Sequence, residues 1–457
     1  MHTTAQFSID DLRAQLEGPV IGPDDSDYDT ARAVMLRAID HRPAAIVRPA
    51  DAGEVSHVVS LARETGVELA VRAGGHSYAG HSTTEGGIVL DLRELTALEI
   101  DADRRVVRAA GGLTTGDVTT AAATHGLAVG FGDTPTVGIG GLTLGGGAGY
   151  LVRKHGLTID HMLGAEVVTA DGRVVDVDET HEPDLFWAIR GGGGNFGVVT
   201  RFDYRLHPVD TVTGGMLAIP ATPETLAGLV EAADEAPDEL SLIANVLGAA
   251  PPMPFLPQEA VGKPVILALL VHSGPVDEGE QAVAPLRALE PVADFVRVMP
   301  YGEMFTMQAP EAPPRVATNT FFSDSFDEDD ARELLARMRA SKALLAAAQI
   351  RVLGGAVSRI PDDATAYAHR QRRIIVNVAA IYASPADDDV HRAWADDAAA
   401  ALRRGDDAAY VNFLGAEGAE RVRAAYPGAT WDRLADVKRR YDPGNVFRVN
   451  QNVPPRR

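Results

Sequence analysis

The chain has 457 residues, no cysteine, and 42 basic against 64 acidic side chains for a net charge of −22. Its length exceeds one ordinary core, which predicts two domains, and 46% hydrophobic with 23% charged residues is a globular balance. The acidic surface opposes nucleic-acid and membrane-surface roles, and the missing thiols exclude disulfides, iron–sulfur clusters, thiolate metal sites and a cysteine nucleophile.

Residues 1–11 hold no basic cluster followed by an apolar run, and no stretch reaches the roughly 18–20 apolar residues of a bilayer span. The expectation is a cytoplasmic enzyme with no membrane contact. In chain order, residues 44–47 read as a strand. Residues 51–64 read as a helix N-capped by Asp51, with Val55, Val58, Val59 and Leu61 as its apolar positions. Residues 68–72 predict a strand running straight into Ala73-Gly74-Gly75-His76-Ser77. Residues 87–90 and 106–110 predict further strands, followed by a helix near 115–125. Residues 165–168 and 173–177 predict a hairpin closed by Ala170-Asp171-Gly172. Beyond about residue 208 the glycines thin out. Helical patterns at 223–236, 327–345 and 388–403 then alternate with strand-like runs at 240–246, 264–271 and 374–381. That alternation predicts helices on an antiparallel sheet, an α+β fold.

Three segments concentrate glycine. They are Arg72-Ala73-Gly74-Gly75-His76-Ser77-Tyr78-Ala79-Gly80, the run from Pro135-Thr136-Val137-Gly138 to Gly145-Gly146-Gly147-Ala148-Gly149, and Arg190-Gly191-Gly192-Gly193-Gly194-Asn195-Phe196-Gly197. Glycine takes positive φ and lets backbone approach a ligand, so such loops can present amides to a pyrophosphate. One loop alone reads as a tight turn; three in one half of a chain point to a ligand. Gly192, Gly194 and Gly197 satisfy G-x-G-x-x-G, but a helix-like stretch precedes them and a strand-like one follows. A Rossmann site needs the reverse order. Gly75-His76-Ser77-Tyr78-Ala79 lacks the second glycine of a hydrolase elbow, and no third ligand is spaced to join His76 and His81 in a metal site.

Taken together, these segments resemble a family. Arg72-Ala73-Gly74-Gly75-His76-Ser77 is similar to the flavin-attachment loop of FAD-linked oxidases of the berberine bridge enzyme and 6-hydroxynicotine oxidase type, within the vanillyl-alcohol oxidase fold. The likeness continues through Pro135-Thr136-Val137-Gly138, Arg153-Lys154-His155-Gly156-Leu157 and Asp184-Leu185-Phe186-Trp187. It ends at Tyr441-Asp442-Pro443-Gly444-Asn445-Val446-Phe447, and so spans nearly the whole chain.

The resemblance implies a two-part FAD-binding domain from residues 1–207 and 411–457, enclosing a substrate-binding domain at 208–410. It implies FAD joined covalently to His76, since the position of a second, cysteinyl attachment in many relatives is here Thr134. The implied cofactor contacts begin with Arg72, Ala73, Gly74, Gly75, His76, Ser77, Gly80 and Ser82. They continue through Thr136, Val137, Gly140, Gly141, Gly145, Gly146, Gly147 and Gly149 to Val198, Asn450 and Asn452. Tyr150, directly after the second glycine run, is the implied base, with Tyr301 and Tyr410 as further candidates; Phe413 stands where several relatives carry a tyrosine. The implied reaction oxidises an alcohol, amine, sugar or phenolic compound with O2, giving hydrogen peroxide. A dehydrogenase using another acceptor and a redox-silent protein on the same scaffold remain open, as do a monomer and a homodimer.

Overall fold

A computed structural model describes residues 7–306 and 315–456. The reading of the first eleven residues therefore falls largely on positions outside the described ones. Short β-branched runs build a first sheet in the order Val20–Ile21, Ala45–Val47, Ile88–Asp91, Leu69–Arg72. The last three strands are parallel, which requires a crossover, and helix Ala52–Thr65 supplies it. Asp51 caps that helix by accepting from the Glu54 N–H at 3.0 Å, and Val55, Val58 and Val59 are buried on its inner face. Strand Leu69–Arg72 thus ends where the first glycine loop begins.

A second, antiparallel sheet has the order Leu98–Asp101, Val106–Ala110, Val198–Arg205, Met162–Val168, Val174–Val177. The third glycine loop lies between helix Pro183–Ile189 and strand Val198–Arg205, so helix precedes strand as expected. The C-terminal helices Ala419–Ala425 and Ala429–Tyr441 return to this sheet, packing Val422, Tyr426 and Leu434 into one core with Phe186, Phe202 and Tyr204.

The third sheet is antiparallel throughout. Its main path runs Ala293–Asp294, Thr211–Pro220, Val265–His272, Leu240–Leu247, Leu345–Val352, Ile374–Tyr382, Arg315–Ser323, and Arg297–Pro300 also pairs with Thr211–Pro220. The strand period of two divides its faces. Leu242, Ala244, Ala348, Ile350 and Val376 pack under helices Pro223–Glu235, Glu328–Ala340 and Asp388–Leu402. From the opposite face Ile243 and Val271 pack against Tyr150 and Leu151, while Ile375 packs against Ala148 and Val152. The sheet therefore lies over the segment that follows the second glycine run.

The helix expected at 327–345 is corrected here. It ends at Ala340, and Leu345–Val352 is a central strand. Its alanines favour helix in isolation, but cross-strand pairing with Ala244 and Val376 decides the matter.

Three histidines meet at the join between the two antiparallel sheets. His155 and His207 stack at 4.0 Å, and His207 Nε2 shares a hydrogen bond with His161 Nδ1 at 2.9 Å. Burial lowers all three, His155 to about 3, His207 to about 4 and His161 well below its ordinary value, and the nearby Lys154, Arg105 and Arg205 add to it. The unfolded chain takes up protons below about pH 6.5 while the folded chain does not. This stability is complete above that pH and is lost as pH falls through it toward the folded values. The melting temperature should drop by roughly 5 °C between about pH 7 and about pH 5. A scan that is flat over that window would contradict neutral burial of the cluster.

Candidate active site

The glycine loops, a C-terminal strap at residues 447–451 and the helix-free face of the third sheet line a cavity of about 360 Å³. Two loops touch at its base. A Cβ on Gly74 would lie 2.2 Å from the Gly138 nitrogen, and one on Gly138 would lie 2.3 Å from the Gly74 nitrogen. Glycine at both positions is what allows the contact. It sets His76 beside Thr136, with Nε2 and Oγ1 3.2 Å apart. The ring is partly buried on the wall, and burial lowers its pKa, opposed by a hydrogen bond at Thr136. The imidazole is therefore neutral near neutral pH, with a nitrogen lone pair available.

Of the expected cofactor residues, Ala73, Gly74, Gly75, His76, Ser77 and Ser82 line the cavity, as do Val137, Gly140, Gly141, Gly147, Val198 and Asn450. Arg72, Gly80, Thr136, Gly145, Gly146, Gly149 and Asn452 stand outside that lining. Arg72 is buried and donates to Asp91 Oδ2 at 2.9 Å and to the Ala31 carbonyl at 2.6 Å, bracing the strand that carries the loop. At Gly149 a Cβ would lie 1.7 Å from the Phe131 carbonyl oxygen, so that glycine serves backbone packing.

The tyrosines separate. Tyr150 and Tyr301 are each 1% exposed in an apolar cluster, with ring centroids 6.0 and 5.6 Å from Phe305, and neither lines the cavity. Burial pushes both phenols up. Tyr410 does line it. Its oxygen accepts from the Gly147 N–H at 2.8 Å and from Asn412 Nδ2 at 3.0 Å. Burial raises its pKa, and these two donors work in the other direction.

The residues fit an FAD. Asn450 Nδ2 is spent on the Gly194 and Phe447 carbonyls at 3.1 and 3.0 Å, leaving Oδ1 buried without a partner on the cavity wall. That atom calls for a hydroxyl or N–H donor from a ligand. Gly141 and Gly194 have open space where a side chain would stand. The strap is held by Lys438, fully buried, which donates to the Asn195 and Phe447 carbonyls at 2.7 and 2.8 Å and to Asp442 Oδ2 at 2.6 Å. The third glycine loop and the chain terminus are thereby fixed to each other.

The cavity is also lined by residues that sequence reasoning did not select as site residues. Tyr78, Asp133, Gln349, Arg351 and Asn412 join Phe413 there. Gln349 and Arg351 alternate with the buried Ala348 and Ile350, a period-two strand signal in a stretch to which the sequence reading assigns no element. Asp133 and Asn412 carry no such signal, because their place depends on distant segments. Among the described residues, no group of three or more His, Cys, Asp or Glu could hold a metal, and no helix is long and apolar enough to cross a membrane.

A parallel-stranded unit, glycine loops and a helix-backed antiparallel sheet closing over one cavity define a flavin-binding oxidoreductase fold. The chain belongs to the FAD-linked oxidoreductases of the berberine bridge enzyme and 6-hydroxynicotine oxidase type, and FAD is its cofactor. The "FAD binding domain" family matches residues 43–178, and the "Berberine and berberine like" family matches residues 409–454. (R)-6-hydroxynicotine oxidase of Paenarthrobacter nicotinovorans is 33% identical over 460 residues, covering 96% of this chain and 97% of that protein. The crystal structure of 6-hydroxy-D-nicotine oxidase from Arthrobacter nicotinovorans superimposes with a TM-score of 0.85 at 29% identity, over 96% of this chain and 98% of that one. Xylooligosaccharide oxidase from Myceliophthora thermophila, in complex with xylobiose, has a TM-score of 0.85 at 25% identity, over 99% and 100%.

Proposed function

We propose that the protein is an oxidase that holds its FAD through one covalent bond to His76 and oxidises a small organic substrate with O2. The observation that carries this reading is the neutral, cavity-lining imidazole of His76, set by the Gly74–Gly138 contact. Thr134 also lines the cavity, and a threonine hydroxyl offers no thiolate for a second bond. On this reading residues 1–207 with 411–457 form the FAD-binding part, and 208–410 form the part that selects substrate.

The flavin, when bound, would accept a hydride from substrate and return the electrons to O2 as hydrogen peroxide. The chain's own work is positional and acid–base. Tyr410 takes the proton of the substrate hydroxyl or amine, and the Gly147 N–H and Asn412 Nδ2 stabilise the charge on its oxygen. Asn412 is itself fixed, because Nδ2 also donates to the Leu142 carbonyl at 2.9 Å. Asn450 Oδ1, buried without a partner on the cavity wall, would accept a donor from the bound cofactor.

The test is acid precipitation of purified protein followed by peptide mapping, with oxygen uptake across alcohols, amines, sugars and phenols. The expected result is FAD mass on the His76 peptide and peroxide formation with at least one class. An unmodified His76 peptide from flavin-loaded protein would refute the covalent assignment. Stable flavin reduction in air would refute the oxidase assignment in favour of another acceptor.

A further inference from the structure

Asp133 and Arg351 meet on the cavity wall from segments far apart in the chain. Arg351 Nη2 donates to Asp133 Oδ1 at 3.0 Å, and both residues line the cavity. Their side chains are 7% exposed for Arg351 and 15% for Asp133, so bulk water screens the pair little. The guanidinium is pinned on three sides. Nε and Nη2 donate to Gln349 Oε1 at 3.1 and 2.8 Å, Nη1 donates to the Ala148 carbonyl, and the Phe413 ring lies 5.3 Å from its central carbon. A guanidinium has five N–H donors, so one on Nη1 is left over. Asp133 Oδ1 takes Arg351 and, at 3.4 Å, the Thr134 hydroxyl, while Oδ2 has no hydrogen-bond partner among the described residues.

One acceptor and one donor thus stand side by side with no net charge between them. We propose that Asp133 and Arg351 form a specificity-determining pair that selects a neutral substrate carrying a hydroxyl group beside a second oxygen. The hydroxyl donates to Asp133 Oδ2, and the second oxygen accepts from Arg351 Nη1. An ammonium group would gain at Asp133 and be repelled by Arg351; a carboxylate would meet the reverse. In a shielded site either mismatch leaves one charge poorly compensated, which disfavours both ions against a neutral group. Among the described residues Asp133 is the one carboxylate on the cavity wall, and Arg351 already engages it, so none is free for an amine. The surroundings agree. Asn245, Gln349 and Asn377 are cross-strand neighbours in register, all uncharged, and Gln349 Nε2 donates to Asn245 Oδ1 at 2.9 Å.

The inference narrows the substrate of the proposed oxidase and rests on that reading for the use of the cavity. Its test titrates flavin-loaded protein with three matched rings: cis-1,2-cyclohexanediol, cyclohexanecarboxylate and cyclohexylammonium. Binding is read from flavin absorbance and, independently, from melting temperature. The diol should bind at least about tenfold more tightly than either ion. Arg351→Gln should shift the preference toward cyclohexylammonium, and Asp133→Asn toward cyclohexanecarboxylate, each by at least about tenfold relative to the diol. The two shifts are opposite in sign, so either variant suffices if the other fails to fold. A diol that binds no more tightly than the ions, or variants that keep the wild-type order, overturn the proposal. Flavin content is measured on the same samples. Protein without flavin would count against the oxidase reading, while the melting-temperature series still decides the specificity.

Discussion

His76→Ala is expected to abolish covalent flavin. In the native chain, acid-precipitated protein should remain yellow, whereas the variant should release all of its FAD into the supernatant. The effect is expected to be all-or-none because the Gly74–Gly138 contact sets His76 at the attachment position, and no cysteine exists to substitute for it. The fold should persist. The substitution removes a partly buried ring whose side-chain partner is Thr136, at 3.2 Å, and Thr136 Oγ1 can turn to water. The strap contacts of Asn195, Lys438 and Asn450 are untouched, so FAD should still bind reversibly. An electron-poor, 8α-substituted ring accepts hydride faster, so the variant reloaded with FAD should be reduced at least about tenfold more slowly. Mass spectrometry of the peptide containing position 76 and anaerobic stopped-flow reduction measure the two effects. Flavin that stays with the precipitated variant would place the attachment on another residue.

Tyr410→Phe should cut the rate of flavin reduction by about 100- to 10,000-fold, the usual worth of a positioned acid–base group. The substitution keeps the ring that packs at 5.0 Å from Phe413 and removes only the oxygen that two donors converge on. It also strands the buried Gly147 N–H, at a stability cost of about 1–3 kcal/mol. The pH profile gives an independent readout. Burial raises the Tyr410 pKa above its ordinary value, so the active phenolate form grows as pH increases toward that value. Wild-type reduction should therefore accelerate from about pH 7 to about pH 10, and the variant's rate should be flat over the same range. Tyr150→Phe is the comparison, and its rate should stay within a few-fold of wild type, because that ring is enclosed by Phe305 and its neighbours rather than by the cavity. A near-normal rate in Tyr410→Phe, or an unaltered pH slope, would remove the residue from the acid–base role.

Much of this was written locally in the chain. Helix Ala52–Thr65 was legible because Asp51 supplies its cap and its valines recur with helical period. The hairpin around Asp171 was legible because Gly172 takes φ 83, which its turn requires. The glycine loops marked a cofactor site because a missing Cβ is a local property, whatever packs around it. Two kinds of feature escaped. Strand Leu345–Val352 escaped, since the helical pattern at 327–345 runs into its first residue and the alanines after it give no strand signal until neighbouring strands pair with them. The choice among tyrosines escaped as well, because nearness to a glycine run in sequence does not say which side of the backbone a ring will occupy. Tyr150 leaves that run into an apolar cluster, while Tyr410 reaches Gly147 from 263 positions further along the chain. The sequence by itself thus determined the glycine loops, the place of His76 within the first of them and the impossibility of a thiol linkage. Only the tertiary structure decided which side chains share the cavity, because Asp133, Arg351 and Tyr410 become neighbours there through long-range sheet pairing and packing, for which no local pattern codes.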